Sequence, residues 1–137
     1  MAQALDLRCT EIRPMVAAGM VAAITEDLDV PLAAYRDLRQ ALAEGRYTLV
    51  QVSAGAATGY LVWERRLGAF QFVLVNFPAR KGAPWTAAVI EQYTVPKARE
   101  LGCWAVAADV ERPGMGRRLG AMGFAAGERR ILELQVA

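Results

Sequence analysis

Apolar residues crowd most densely between Phe70 and Val75, where Phe70, Phe72, Val73, Leu74 and Val75 are interrupted only by Gln71. A run this short, rich in aromatic and β-branched side chains, predicts a strand covered on both faces. Pro78 stops it, the basic stretch Ala79-Arg80-Lys81-Gly82-Ala83 follows, and Pro84-Trp85-Thr86 opens a helix. A buried strand, a short glycine-containing basic turn and a helix N-terminus together form a candidate anion cradle.

The rest of the chain arranges itself around this stretch. Leu5 to Met15 reads as a first strand ending at Arg13-Pro14, and Val16, Met20, Ala23 and Ile24 then recur at helical spacing. Pro31 fits the first turn of a second helix, whose stripe is Pro31, Tyr35, Leu38 and Leu42, with Arg36, Asp37, Arg39 and Gln40 toward water. Gly45 takes the C-terminal capping place. Tyr47 to Val52 and Tyr60 to Arg65 are strands joined by a turn over Ser53 to Gly59, and with the strand at Phe70 they predict an antiparallel meander. The following helix places Ala87, Ile90, Thr94, Ala98 and Leu101 on one side, and Pro96 is expected to kink or divide it. Gly102 closes that helix, and Trp104 to Ala108 is an apolar strand reached by a crossover, so parallel to the strand before the helix. A short helix over Met115 to Met122 and a closing strand over Ile131 to Val136 complete the order β-α-α-β-β-β-α-β-α-β. The fold class is α/β with one mixed sheet, and no linker or repeat divides residues 1–137, which read as a single domain.

Composition narrows the chemistry. With 55% apolar and 22% charged residues, the 137-residue chain has the makings of an ordinary core rather than of disorder. A net charge of +2 is too small to argue for nucleic-acid or membrane binding. Its distribution is uneven: residues 1–45 carry four basic and seven acidic groups, residues 46–110 seven and four, and residues 111–130 five and two. The basic excess therefore lies in the half holding the turn and the last helix, either as a solvated arginine-rich surface or as a site for an anionic ligand or partner. The absence of histidine removes Ser/His and Cys/His nucleophilic systems and nearly all zinc sites. Cys9 and Cys103 read as small buried hydrophobes rather than as a disulfide. Asp6 and Arg8 interrupt any early apolar segment, and the weakly polar run Pro14 to Ile24 is far short of the ~20 residues that span a bilayer, so a soluble cytoplasmic protein is expected.

The element order resembles the GNAT superfamily, the acetyl-CoA-dependent N-acetyltransferases, over essentially the whole chain. The resemblance rests most on Ala98-Arg99-Glu100-Leu101-Gly102-Cys103-Trp104-Ala105-Val106 and on Arg118-Leu119-Gly120-Ala121-Met122-Gly123-Phe124. These are similar to the family's helix, glycine, strand, and short helix ending in Gly-Phe. It implies that Leu74 and Val75 border the acetyl-CoA site and that the turn carries the family's Arg/Gln-x-x-Gly-x-Gly/Ala motif. The matching window is Ala79-Arg80-Lys81-Gly82-Ala83-Pro84, so Arg80, Lys81, Gly82 and Ala83 are the implied cofactor-binding residues. Two departures stand out. Ala79 replaces the leading Arg/Gln, and Pro84 has no N–H to donate.

The acid departs further. Where many members carry a tyrosine that protonates the leaving thiolate, this sequence has Leu119, and the neighbouring Arg117 and Arg118 are poor proton donors near neutral pH. Glu64 is a candidate general base by position and a solvated strand residue otherwise; no catalytic residue is assigned. Trp63, Trp85 and Trp104 read as core residues, Asp109 as a turn acceptor or a cleft residue, and Arg112 with Arg117 and Arg118 as a patch that could face a partner.

Two functions follow. The first is a degenerate GNAT-like domain without cofactor or catalysis, a structural or binding protein with protein partners or a homo-oligomeric form. Arg112-Pro113-Gly114-Met115 is loosely similar to GNAT-like tailed-phage proteins, which implies a virion-associated component and a virion location. The alternative is an active acetyl-CoA-dependent N-acyltransferase acting on a small-molecule or protein amine.

Overall fold

The computed structural model describes residues 6–25, 32–75, 85–109, 124–126 and 131–136. Two compact units divide them. The first gathers β1 (Arg8–Ile12), α1 (Pro14–Ile24), α2 (Leu32–Ala43), β2 (Thr48–Ala54) and most of β3 (Ala57–Arg66), with the end of β4 (Ala69–Val75). The second holds the start of β4, the helix over 86–100, and β5 (Ala105–Asp109), β6 (Ala125–Ala126) and β7 (Ile131–Gln135).

In the first unit β1 pairs antiparallel with β2 from Arg8↔Ser53 to Ile12↔Leu49, and β2 with β3 from Thr48↔Trp63 to Ala54↔Ala57. The connection between β2 and β3 is only Gly55-Ala56, not the seven residues that Ser53 to Gly59 predicted. Small residues placed there signal a turn, but their backbones still complete the ladder through Ser53↔Thr58 and Ala54↔Ala57. The first strand is likewise shorter than expected, because the helix starts at Pro14, whose fixed φ suits a first helical position.

α1 buries Ala17, Ala18, Val21 and Ile24, whereas Val16, expected on the inner stripe, is 56% exposed, and Ala23 is exposed as well. The reason is compositional. No residue of PMVAAGMVAAI is charged, so nothing in the pattern selects a face. α2 behaves as predicted where its side chains are described: Leu42 is fully buried, Leu38 half-buried, and Arg36, Asp37, Arg39 and Gln40 face water. Tyr35's side chain and Pro31 lie outside the description. Ala17, Ala18, Val21, Ile24, Leu42, Leu49 and Val62 form the core of this unit.

In the second unit β4 and β5 are parallel, as the crossover predicted, and β5 pairs antiparallel with β7, which also carries the short β6. The helix before β5 ends in a Schellman motif. Gly102 has φ +72, its N–H donates to the Arg99 carbonyl at 3.1 Å, and the Cys103 N–H donates to the Ala98 carbonyl at 2.8 Å. Cys103 and Ala98, both buried, supply the apolar contact of that motif, which explains the burial of this thiol and aims the chain into β5. α2 ends the same way at Gly45, with Gly45 N–H to Leu42 and Arg46 N–H to Ala41. A Cβ on Gly102 meets nothing within 4 Å, so only its dihedral resists substitution. Gly102→Ala is therefore expected to lower stability by about 1–2 kcal/mol in urea unfolding, with a smaller loss for Gly102→Asn.

Candidate functional site

The strand pair β4–β5 is the centre of the implied site. Its ladder joins Ala69↔Ala105, Phe70↔Val106, Gln71↔Ala107 and Phe72↔Ala108. Phenylalanines on one strand thus lie beside small residues on the other. This complementarity lets Phe70 and Phe72 pack at 0% and 3% exposure without crowding β5. Among the described residues the last pair is Phe72↔Ala108; β4 continues to Val75 and β5 to Asp109, and the positions in register with Leu74 and Val75 lie outside the described residues. Asp109 pairs on its other side with Ile131, so β5 is anchored to β7 along its whole length.

Of the implied cofactor residues, Leu74 and Val75 fall on β4, past its last described pair with β5. Arg80, Lys81, Gly82 and Ala83, with Ala79 and Pro84, lie outside the described residues. So do Arg112, Arg117, Arg118, Leu119 and the expected helix over Met115 to Met122. The helix after the turn is described from Trp85, which is 6% exposed and packs as expected.

That helix accommodates Pro96 in a way the sequence did not show. It runs as α3 (Trp85–Val89), a π turn (Ile90–Thr94) and α4 (Val95–Glu100). Pro96 has no N–H to donate to Gln92, and the extra residue of the π turn absorbs the break without ending the helix. The Val95 N–H reaches five residues back to the Ile90 carbonyl, which also accepts the Thr94 hydroxyl at 3.2 Å. Ile90, Thr94 and Ala98 remain on the buried side, so the predicted stripe survives the change of pitch. Tyr93 meets Phe70 edge-on, ring centroids 6.4 Å apart and planes 69° apart, which ties the π turn to β4.

Other candidates read as follows. Glu64 is half-buried on β3, not a freely solvated strand residue. Cys9 is half-buried on β1, and burial pushes its thiol pKa up, which keeps it protonated and a poor nucleophile. Trp63 is half-buried. Trp104 is 41% exposed and is not a core residue. It precedes β5, and its indole N–H donates to the Leu67 carbonyl at 3.2 Å, leaving part of the ring at the surface. Leu67 and Gly68 form the two-residue connection from β3 to β4 with φ of +53 and +81, the combination of a type I′ turn, in which Asn-Gly is the favoured pair. Among the described residues no group of three or more His, Cys, Asp or Glu side chains is placed to hold a metal ion. No helix among them is long and apolar enough to cross a membrane.

No protein-family model matches the sequence, and no curated protein matches it. Solved structures do match. A Desulfovibrio desulfuricans protein assigned to the GNAT acetyltransferase family superposes with TM-score 0.69 at 16% identity, over 96% of this chain and all of that one. A Salmonella typhimurium protein described as an acetyltransferase, solved with its cofactor acetyl-CoA, gives TM-score 0.63 at 19% identity over 98% and 95% of the two chains. The spermidine N-acetyltransferase of Vibrio cholerae gives 0.69 at 11% identity over 95% and 94%, and that enzyme is also known as a dodecamer. Identities this low carry the fold and nothing finer: the chain has the fold seen in GNAT-family acetyltransferases.

Proposed function

We propose that the chain binds acetyl-CoA against the C-terminal end of β4 and transfers its acyl group to an amine, with positioning replacing side-chain acid catalysis. The observation that carries this reading is that β4 runs on to Val75, three residues past Phe72↔Ala108, its last described pair with β5. On this reading the backbone groups of Leu74 and Val75 are kept for the coenzyme rather than for β5. The extended arm of a coenzyme needs such a strand edge. Leu74 and Val75 supply that edge, and Arg80 and Lys81 are the cations suited to phosphate oxygens. Gly82 and Ala83 keep their N–H donors, whereas Pro84 withholds one, so fewer amides are offered than the family motif provides. The Salmonella typhimurium neighbour, which holds acetyl-CoA, supports the reading.

Bound acetyl-CoA would supply an activated thioester, open to attack by the amine nitrogen with the CoA thiolate as leaving group. Water takes the amine proton and returns one to the thiolate, because Leu119 offers none. Holding the two reactants together is then the chain's main contribution. Amine-dependent release of free thiol, followed across pH, tests this. The rate should climb as the amine loses its proton and show no falling limb at high pH. A bell-shaped profile would reveal a titrating side-chain acid and contradict the proposal.

A second reading is favoured by Pro84 and Leu119 together: a non-catalytic structural or binding protein, such as a phage virion component. It predicts no thiol release with any amine and a fixed number of copies in purified particles. Homo-oligomers fit either reading, and the location follows it, cytoplasmic for the enzyme and virion for the structural protein.

A further inference from the structure

Leu67 breaks two local rules at once. It occupies the left-handed backbone region, with φ +53, and its side chain is 92% exposed, the most exposed large apolar residue described. An asparagine there would suit both the turn and the solvent. Its surroundings are built rather than loose. The Trp104 indole N–H donates to the Leu67 carbonyl at 3.2 Å and the Trp104 backbone N–H donates to the Gly68 carbonyl at 3.0 Å. A Cβ on Gly68 would lie 3.0 Å from Cδ1 and 3.2 Å from Nε1 of Trp104, so the glycine is what lets the ring sit against the turn. The turn is thereby held in a conformation that projects Leu67 outward.

Charge surrounds this projection. Arg65 and Arg66, consecutive at the end of β3, are both exposed, and alternation along a strand sends them to opposite sides. Arg99, also exposed, donates from Nε to the Val136 carbonyl at 3.4 Å, and the Val136 N–H donates to the Trp104 carbonyl, which links a third guanidinium to the Trp104 backbone through Val136. The exposed carboxylate beside it, Glu100, is paired with Lys97 at 3.7 Å. A projecting apolar side chain, a half-open indole and three arginines make an anchor with a cationic rim.

We infer that the Leu67–Gly68 turn with Trp104 is a docking surface for a protein partner that offers an apolar pocket rimmed by carboxylates. Charge complementarity selects the acidic rim, and Leu67 selects a protein over a nucleic acid, which would use the arginines but has no pocket for the leucine. This inference is independent of acyl transfer.

Leu67→Asn separates docking from a turn defect, because it should improve the turn while removing the anchor. The full chain is panned against a displayed random-peptide library, and the enriched peptides are titrated against wild type, Leu67→Asn and Arg65→Ser/Arg66→Ser. The expected peptides combine Asp or Glu with large apolar residues and lose about tenfold or more in affinity with either variant. Leu67→Asn should meanwhile raise the melting temperature by a few degrees, on the order of 4 °C. Failure to enrich such peptides, or equal binding by Leu67→Asn, overturns the inference. So does a leucine-independent preference for an oligonucleotide, or sedimentation showing that the turn mediates self-association.

Discussion

Phe70→Ala is expected to remove about 3–5 kcal/mol of unfolding free energy in urea denaturation, with an unchanged denaturant slope. The ring is fully buried, sits beside Val106 in the parallel ladder, and takes the edge contact with Tyr93 at 6.4 Å. Truncation therefore opens a cavity among β4, β5 and the π turn, where the ladder's backbone bonds prevent collapse. Against a typical total of about 5–15 kcal/mol, such a loss leaves a marginal fold. Phe70→Leu fills most of the space and should cost under about 1.5 kcal/mol. A loss below about 1 kcal/mol for the alanine variant would mean that the ring is not enclosed as described.

The second large effect concerns the proposed coenzyme site. Gly82→Asp places a carboxylate in the stretch proposed to hold the phosphates, between Lys81 and Ala83. Like charges a few ångströms apart, at a surface-like effective dielectric, repel by roughly 4 kcal/mol before screening. Even half of that weakens acetyl-CoA binding by about thirtyfold. A melting temperature close to wild type is the expected control, separating lost coenzyme binding from lost folding. An unchanged affinity would place the phosphates elsewhere.

Much of the architecture was legible because local chemistry and global fold agree there. Gly45 and Gly102 end their helices where predicted, since positive φ has few other solutions. The parallel β4–β5 pair followed from a crossover that holds a helix. Three features were illegible for distinct physical reasons. α1 has no polar residue to mark its outer face, so the burial of Ala17, Ala18 and Val21 is decided by what it packs against. Pro96 predicts a break in the helix, yet it does not say that a π turn absorbs it. Trp104 looked like core because it adjoins an apolar strand, whereas its hydrogen bond to Leu67 holds it at the surface. For the site itself, Leu74 and Val75 sit on β4 past its last described pair with β5, and the turn from Arg80 to Ala83 lies outside the described residues. A carboxylate, thiol or hydroxyl placed to protonate the leaving group had no signal in the sequence.

The central claim is that the strand edge beyond Phe72 still accepts a coenzyme although its loop has lost donors and its acid is gone. Calorimetric titration of the full chain with acetyl-CoA tests it most directly. Saturable binding at one site per chain, at micromolar concentrations and weakened by Gly82→Asp, is the predicted result. Absence of heat at millimolar coenzyme, from protein that still melts cooperatively, contradicts the account and leaves a GNAT fold kept for another purpose.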